Sequence, residues 1–376
     1  MKTNKTKKFN TLIFSRAVII ILFSFLGLYS CKTDHYSMLT QINKDGSCSR
    51  LFTTRADSSF FSGNNTNNPF PFHIDSGWKI YWEDSINKKH EWSENKIKRT
   101  NTNGDLFVHA QISFPNVDSM AKLDCFTRGD WKLIDTELNY FKKFRWFYTY
   151  HHMEEIFPAL HFFKKVPITN YIAEKEAKMW FQGIHPCFKG KNGVEVKEYL
   201  DDIDKKVEEW ATRNLFEEQY HTLEWYMKEY NINMDIEAFL AAKDTIYKLY
   251  KNSETEFLEN EGKLMDNYFQ TTVFSEIIPE NEMLTDRLDS IASFLNYFNQ
   301  SLSYQLIMPG KVVSTNAPLS DGDTLGWKVD AYRFGVYDYS IAAVSRTTNP
   351  WVFVVSGLFI LLTILLFVNS IRNKIF

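Results

Sequence analysis

The sequence has little cysteine and lacks the short motifs that mark most enzyme classes. Its 376 residues include four cysteines, Cys31, Cys48, Cys125 and Cys187, which form neither a CxxC pair nor a Cys/His zinc pattern. There is also no GxSxG elbow, no Walker loop and no dinucleotide glycine pattern. The sequence therefore carries none of the common signatures of zinc modules, hydrolases or nucleotide-dependent enzymes. No cofactor is predicted.

Acidic residues are missing from both ends of the chain. None occurs before Asp34 or after Asp338, whereas the first thirty residues hold five of the 43 basic residues and the last ones hold two. The part between the ends therefore keeps 36 basic against 46 acidic side chains, a net charge of −10. A nucleic-acid-binding surface needs the opposite sign, so nucleic acid is not expected as a partner. An anionic membrane would repel this region on average, although local basic patches stay compatible with that balance.

The N-terminus is typical of an export signal. Basic residues precede a mostly apolar run over residues 17–28, which at about 1.5 Å per residue is too short to cross a bilayer core of about 30 Å. The following Leu28-Tyr29-Ser30-Cys31 resembles the lipobox of bacterial lipoproteins. That resemblance implies cleavage after Ser30 and lipid on Cys31. The alternative is an ordinary signal peptide followed by a cysteine with no such role.

The C-terminus holds the one long apolar run. Eighteen residues from Trp351 to Val368 carry no charge, which predicts a transmembrane helix with Trp351 in the interface. Arg372 and Lys374 follow the span, and positive charge prefers the cytoplasmic side. We therefore expect a cytoplasmic C-terminus and an ectodomain on the periplasmic side of a bacterial cytoplasmic membrane. A buried core helix is the alternative.

The pattern between these ends predicts an α+β fold, with a β-rich membrane-proximal domain, an inserted helical module and one C-terminal transmembrane helix. Asp45-Gly46 predicts a hairpin, whereas Leu200, Ile203, Val207 and Trp210 have helical spacing. The predicted segments are a signal peptide (1–30), a first β-rich part (31–165), a helical insertion (166–302), closing strands (303–348), the transmembrane helix (349–369) and a basic cytoplasmic tail (370–376).

Three cysteines remain if Cys31 carries lipid. An oxidising compartment would allow one disulfide and one free thiol. A bond between Cys48 and Cys125 would join two predicted β-rich segments, but the spacing leaves the pairing open, and Cys187 stays as the third candidate.

Several short segments resemble LppM-type lipoprotein domains. These are "INKDGSC", "VHAQISFPNVDSMAKL", "MPGKVVSTNAPLSDGDTLGWKV" and "SIAAVSR", followed by a terminal helix. The resemblance implies a lipidated N-terminus, a β-rich domain, one C-terminal span and binding of membrane lipids or glycolipids. It supplies no catalytic residues, and the helical block 166–302 departs from it. The whole chain also resembles lipoproteins of the Bacteroidota whose function is unassigned.

Aromatic residues form the most prominent candidate binding surface. Phe144, Trp146, Tyr148 and Tyr150 alternate with period two, which predicts one face of a single strand. That face is either core against which the inserted helices pack or the lining of a cleft for an acyl chain or a partner. Trp210 and Trp225, together with Tyr220, are candidate partners of this face or anchors of a protein interface.

Two weaker constellations suggest chemistry. His152 and Glu154 would share a face of a strand and are possible zinc ligands, although no known ligand spacing is matched and a polar strand end is the alternative. His185 and Cys187 suggest a nucleophile pair, but no orienting group is identifiable.

The sequence therefore predicts a non-enzymatic lipoprotein of the cell envelope, tethered at both ends, that binds another envelope protein. One alternative is a lipid- or glycolipid-binding lipoprotein, as the resemblance implies. Another alternative is a metal-dependent hydrolase that uses His152 and Glu154.

Overall fold

The computed structural model describes residues 34–56, 58–61, 67–83, 89–91, 107–128, 134–161, 163–184, 188, 190–252, 257–280, 287 and 300–375. The predicted signal peptide, the predicted lipidation of Cys31 and the His185–Cys187 pair lie outside these residues. So does most of the segment 280–302, "ENEMLTDRLDSIASFLNYFNQSL", which the sequence predicts to be an amphipathic helix.

The described strands form two sheets. An eight-stranded sheet has the order β10-β11-β8-β1-β2-β5-β3-β4 and a four-stranded sheet has the order β6-β7-β12-β9. Neighbouring strands pair antiparallel except β1 and β8, which are parallel. The strands are β1 (Asp34–Ile42), β2 (Cys48–Arg55), β3 (Lys79–Glu83), β4 (Lys89–Glu91), β5 (Phe107–Phe114), β6 (Glu137–Arg145), β7 (Tyr148–Phe157), β8 (Gln300–Ile307), β9 (Lys311–Thr315), β10 (Leu319–Asp321), β11 (Thr324–Asp330) and β12 (Tyr339–Thr348).

Helices fill the interval between β7 and β8 and close the chain, so the fold is mixed α+β as predicted. They are α1 (Ser58–Phe61), α2 (Val117–Met120), a 3₁₀ turn (Ile168–Asn170), α3 (Glu174–Gln182), α4 (Gly193–Glu229), α5 (Ile236–Asn252), α6 (Phe257–Phe269), α7 (Val273–Glu280), α8 (Ala331–Phe334) and α9 (Pro350–Ile375). The described residues divide into two units. The β unit comprises 34–159, 300–334 and 338–376, and the helical unit comprises 160–299 and 335–337.

The inner faces of the two sheets meet around a buried ion pair. Arg50 of β2 donates to Glu155 of β7 at 2.7 Å, and both side chains are almost fully buried. Tyr304 of β8 donates its hydroxyl to the same carboxylate at 2.6 Å, and Thr136 donates to its other oxygen at 3.2 Å. A buried charge is tolerated when its hydrogen bonds are satisfied, and this carboxylate accepts all three.

An aromatic cluster covers the part of the large sheet that lies towards β3. Phe72 stacks on Trp78 at 4.0 Å between ring centroids and meets Phe52 of β2 edge-on at 5.0 Å. Phe70 also stacks on Phe72, at 5.2 Å between ring centroids. Because residues 67–78 are mostly irregular, the rings rather than a further strand bury this surface.

The helical unit has its own core. Tyr220 of α4 stacks on Phe239 of α5 at 4.1 Å and donates its hydroxyl to the Phe239 carbonyl. Asn192 caps α4 by accepting from the amides of Val194 and Glu195. The fully buried Phe216, Ile246 and Phe274 extend the cluster through α4, α5 and α7. Ile203, Val207 and Trp210, whose spacing predicted a long helix, lie on the buried side of α4.

Three expectations are corrected. The aromatic stretch 144–150 is not one strand, because the chain reverses at Trp146–Phe147 between β6 and β7. The segment "ITNYIAEKEAKMWFQG" predicts a helix that begins at Thr169 or Asn170 and stops at Gly183. The observed helix begins only at Glu174, and it does end at Gly183, which lies in the left-handed region. β8 begins at Gln300, inside the interval predicted to be helical.

The structure also answers a question that the sequence left open, whether Cys48 and Cys125 form a disulfide. Cys48 and Cys125 are both free and buried, so the disulfide considered from the sequence is not formed. Cys125 Sγ instead accepts from Arg50 at 3.2 Å. Burial raises the pKa of the Cys48 thiol to about 11. Burial also raises the pKa of Cys125, against the opposing charge of Arg50. Both thiols are therefore protonated at neutral pH.

The buried ion pair generates a stability prediction. Arg50→Met leaves Glu155 without its cation and should lower the free energy of unfolding by about 3–5 kcal/mol. The double variant Arg50→Met/Glu155→Leu removes both charges and should recover most of that loss. Denaturant unfolding of the full chain in detergent micelles measures both. A double variant as unstable as the single one would show that the ion pair itself, rather than the uncompensated charge, carries the stability.

Candidate membrane-interface site

The turn between β6 and β7 consists of two aromatic residues, Trp146 and Phe147. Two-residue hairpin turns require positive φ at their first central residue, a place usually taken by Gly, Asn or Asp. Trp146 occupies it with φ +30°. A bulky residue there costs of order 1–3 kcal/mol, and such strain persists where the surroundings hold it. The contacts of Trp146 and Phe147 with the C-terminal helix provide those surroundings.

Asn349, the residue before α9, ties the turn to the start of the helix. Its backbone amide donates to the Phe147 carbonyl and its side-chain amide donates to the Trp146 carbonyl, both at 2.9 Å. Its side-chain oxygen accepts from Thr149 at 2.9 Å. Pro350 then occupies the first helical position, where a missing N–H costs nothing. The hairpin and the first turn of α9 thus form one hydrogen-bonded assembly.

Aromatic rings surround Trp351 in that first turn. Phe144 stacks against it at 6.1 Å between centroids, and Trp146 meets it edge-on at 6.3 Å. Phe147 packs on Phe353 at 4.9 Å. The indole N–H of Trp146 donates to Ser356 Oγ at 3.0 Å. We call Phe144, Trp146, Phe147, Trp351 and Phe353 the aromatic tip; each of the five side chains is at least 39% exposed.

The helix to which the tip is fastened is long and apolar enough over Pro350–Ile371 to cross a membrane, by length and composition. That finding is consistent with association of the chain with a membrane. Ser356 lies six residues after Pro350, about 9 Å along the helix axis. The ring of Trp146 is therefore level with the second turn of the candidate span. Exposed aromatic rings at this level are typical of the belt at a membrane–water interface.

The predicted aromatic candidates are divided by the fold. Phe144 and Trp146 belong to the exposed tip and are therefore not part of the core, one of the two alternatives that the sequence left open. Tyr148 and Tyr150 follow the turn on β7 and are half-buried. Trp210 is buried in the helical unit, where its indole N–H donates to the Val166 carbonyl at 2.7 Å. Trp225 packs on the core of the same unit, with Arg287 at 4.1 Å over its ring.

His152 and Glu154 do share the outer face of β7, as their spacing predicts. His152 stacks on Phe141 of β6 at 4.4 Å, and Glu154 accepts from Ser340 at 2.6 Å. Among the residues that the structure describes, no group of three or more His, Cys, Asp and Glu side chains is placed to hold a metal ion.

His151 lies on the inner face of β7, and each of its two ring nitrogens is within hydrogen-bond distance of a hydroxyl group. Its Nδ1 lies 2.8 Å from the Tyr140 hydroxyl and its Nε2 lies 3.0 Å from the Thr347 hydroxyl. Burial lowers the pKa of His151, and the positive charge of Lys142 and the neighbouring His152 lower it further. The ring is therefore neutral where β7 pairs with β12, close to the aromatic tip.

Sequence reasoning missed Phe147, Asn349, Phe353 and Ser356 as members of the site. The turn contains no Gly, Asn, Asp or Pro. The aromatic residues at every second position therefore predicted one continuous strand across it. The pair Asn349-Pro350 before an apolar run was the available signal, because it marks the start of a helix.

The lowered pKa of His151 predicts a pH-dependent stability. The unfolded chain takes up the proton near the ordinary value of about 6.5, and the folded chain does so only at lower pH. The stabilisation is thus fully present above about pH 6.5 and is lost as the pH falls towards the folded pKa. Thermal unfolding of the full chain in detergent between pH 7.5 and 5.5 should show this loss, and His151→Gln should reduce it. His73→Gln, at an exposed site, is the control; equal losses in all three proteins would contradict the assignment.

Comparisons with known proteins identify no family for this chain. No protein-family model matches it, and no curated protein matches it. One solved structure, the NMR structure of the folded domain of LppM from Mycobacterium tuberculosis, is similar with a TM-score of 0.27 and 9% sequence identity. That alignment covers 86% of this chain and 96% of the LppM domain. The comparisons give no support for an origin in the Bacteroidota.

Proposed function

We propose that this chain is a non-enzymatic protein of the bacterial cell envelope, anchored at both ends in the cytoplasmic membrane. Its β unit stands at the membrane surface and its helical unit binds another envelope protein. The observation that carries the anchoring is the contact between the aromatic tip and Ser356 inside the candidate span. The tip is then a second point of attachment beside α9 itself.

The orientation in this proposal follows from charge and from the N-terminal signal. Arg372 and Lys374 follow the candidate span, and no acidic residue lies after Asp338. Positive charge next to a span favours the cytoplasmic side, which leaves the β unit and the helical unit on the periplasmic side. An export signal with lipid on Cys31 directs the N-terminus to the same side.

The helical unit is the part proposed to bind a partner. It holds its own aromatic core, so it does not need its exposed surface for folding. That surface carries Val194 at 67%, Leu249 at 43% and Tyr268 at 42% exposure. Large apolar and aromatic side chains of this kind anchor protein interfaces.

Lipid contact, the second function expected from the sequence, is supported at a different place from the one anticipated. In one of the two alternatives, Phe144, Trp146, Tyr148 and Tyr150 would line a cleft on one strand. Phe144, near the end of β6, and Trp146, in the turn after it, instead lie beside α9, which favours contact with the bilayer surface.

Membrane contact by the tip predicts a quenching result. In vesicles of phosphatidylcholine brominated on the upper acyl chain, Trp146→Phe should lower the fraction of tryptophan fluorescence that the bromines quench, because it removes an indole held at the interface. Trp78→Phe is the matched control, since Trp78 is buried in the aromatic cluster of the β unit. An unchanged quenched fraction in Trp146→Phe would show that the turn stays clear of the lipid.

Partner binding predicts a position-dependent crosslink. A photoreactive amino acid placed at Val194 or Leu249 of the helical unit should capture one envelope protein in living cells. The same residue at Val313 or Leu319 of the β unit, which are equally accessible at 51% and 69% exposure, should not. Mass spectrometry identifies the products. Links only between copies of this chain, or equal capture from both units, would rule out the helical unit as the partner-binding part.

A further inference from the structure

A row of basic side chains crosses the four-stranded sheet next to the aromatic tip. Lys143 of β6 pairs with Tyr150 of β7, Tyr150 pairs with Arg346 of β12, and Arg346 pairs with Lys311 of β9. Directly paired residues of antiparallel strands point to the same face. All four side chains therefore share one face of the sheet.

That face is the outer one. Glu155, Met153 and His151 point inwards from β7 and are buried, so alternate residues 148, 150, 152 and 154 point outwards. Arg145 lies on the same outer face, two residue pairs closer to the turn than Lys143 and opposite Tyr148. We call Lys143, Arg145, Lys311 and Arg346 the basic row.

Two local features hold the row in place. The Arg346 guanidinium lies 4.6 Å from the centre of the Tyr148 ring, a cation–π contact that fixes its direction. Gly310 has φ +77°, and a Cβ there would lie 2.4 Å from the Arg346 carbonyl oxygen. Only glycine fits this close approach, which brings Lys311 alongside Arg346.

Among the described residues, the cations of the basic row have no acidic ion-pair partner. The nearest outward acid of β7 is Glu154, four residues beyond Tyr150, about 13 Å along the strand, and it accepts from Ser340. A chain with an average negative charge thus presents four cations together.

Chain length places the row at the level of the membrane surface. Lys143 and Arg145 lie at most three residues from Trp146, about 10 Å even in a fully extended chain. Arg346 lies four residues before Pro350, about 14 Å at most. The headgroup layer is about 5–7 Å thick on each side of the bilayer core. Lys143 and Arg145 are therefore separated from the lipid phosphates by no more than about one headgroup thickness plus one Debye length.

We propose that the basic row binds the phosphate groups of anionic phospholipids in the membrane that α9 crosses. Guanidinium and ammonium groups match phosphate oxygens, and the hydroxyls of Tyr148 and Tyr150 supply further donors beside them. The inference rests on the proposed membrane anchoring. The aromatic tip sets the depth of the sheet in any bilayer, whereas the basic row selects anionic lipid.

Lysine labelling of the full chain in nanodiscs tests this selection. A short pulse of a water-soluble acetylating ester, followed by mass spectrometry of peptides, gives the rate at each lysine. Replacing about one-third of the phosphatidylcholine by phosphatidylglycerol should slow labelling of Lys143 and Lys311 at least about threefold, because anionic lipid attracts nearby basic residues. Lys79 and Lys122, exposed elsewhere in the β unit, are internal controls and should not change.

Three further conditions decide the outcome: added salt, a pair of matched double variants and added inorganic phosphate. Salt at about 1 M, where the Debye length is about 3 Å, should restore the labelling rates. The double variant Arg145→Gln/Arg346→Gln should also restore labelling of Lys143, whereas Lys79→Gln/Lys122→Gln should not. Equal rates in both lipid mixtures would overturn the proposal, and so would protection by inorganic phosphate alone in phosphatidylcholine. If Trp146 is still quenched in either case, the anchoring stands and only the lipid selection is wrong.

Discussion

The buried carboxylate of Glu155 is the constraint on which the β unit depends. It accepts from Arg50 of β2 and Tyr304 of β8, so it connects the small sheet to two strands of the large one. A slip of one residue along β7 would turn Glu155 outwards and bury its neighbours, leaving Arg50 without a partner. Because a buried guanidinium without an anion is costly, the pair selects one register for β7. The outward positions of Tyr148, Tyr150 and His152 follow from that register.

The register of β7 in turn determines what meets the C-terminal helix. β6 and β12 both pair with β7. The β6–β7 turn and the C-terminal end of β12 therefore lie next to each other at the same end of the strands. Asn349 connects them through both its backbone and its side chain. The strained conformation of Trp146 is then supported from two sides, by hydrogen bonds to its carbonyl and by the rings around Trp351. The aromatic tip and the basic row are consequences of the same strand pairing.

Much of the local structure was predictable because local signals agree with the fold. Asp45-Gly46 forms the expected turn between β1 and β2, with Gly46 at φ +100° and Ser47 donating to Asp45. The stripe through Ile203, Val207 and Trp210 is the buried side of α4. The site was less predictable. Trp146-Phe147 contains no residue typical of turns, so alternation alone predicted one strand across it, and the choice between core and cleft for these rings stayed open.

The sequence by itself determined the class of fold, the long apolar C-terminal helix, the turn at Asp45-Gly46 and the buried side of α4, since periodicity and turn chemistry act over a few residues. Only the tertiary structure decided which residues meet. Arg50 and Glu155 are 105 positions apart, and Trp146 and Ser356 are 210 positions apart. Contacts of this range depend on strand order and register, which arise from packing of the whole sheet. For the same reason, only the tertiary structure shows that four cations from three separate strands form one row. The net charge of the chain is negative and gives no indication of it.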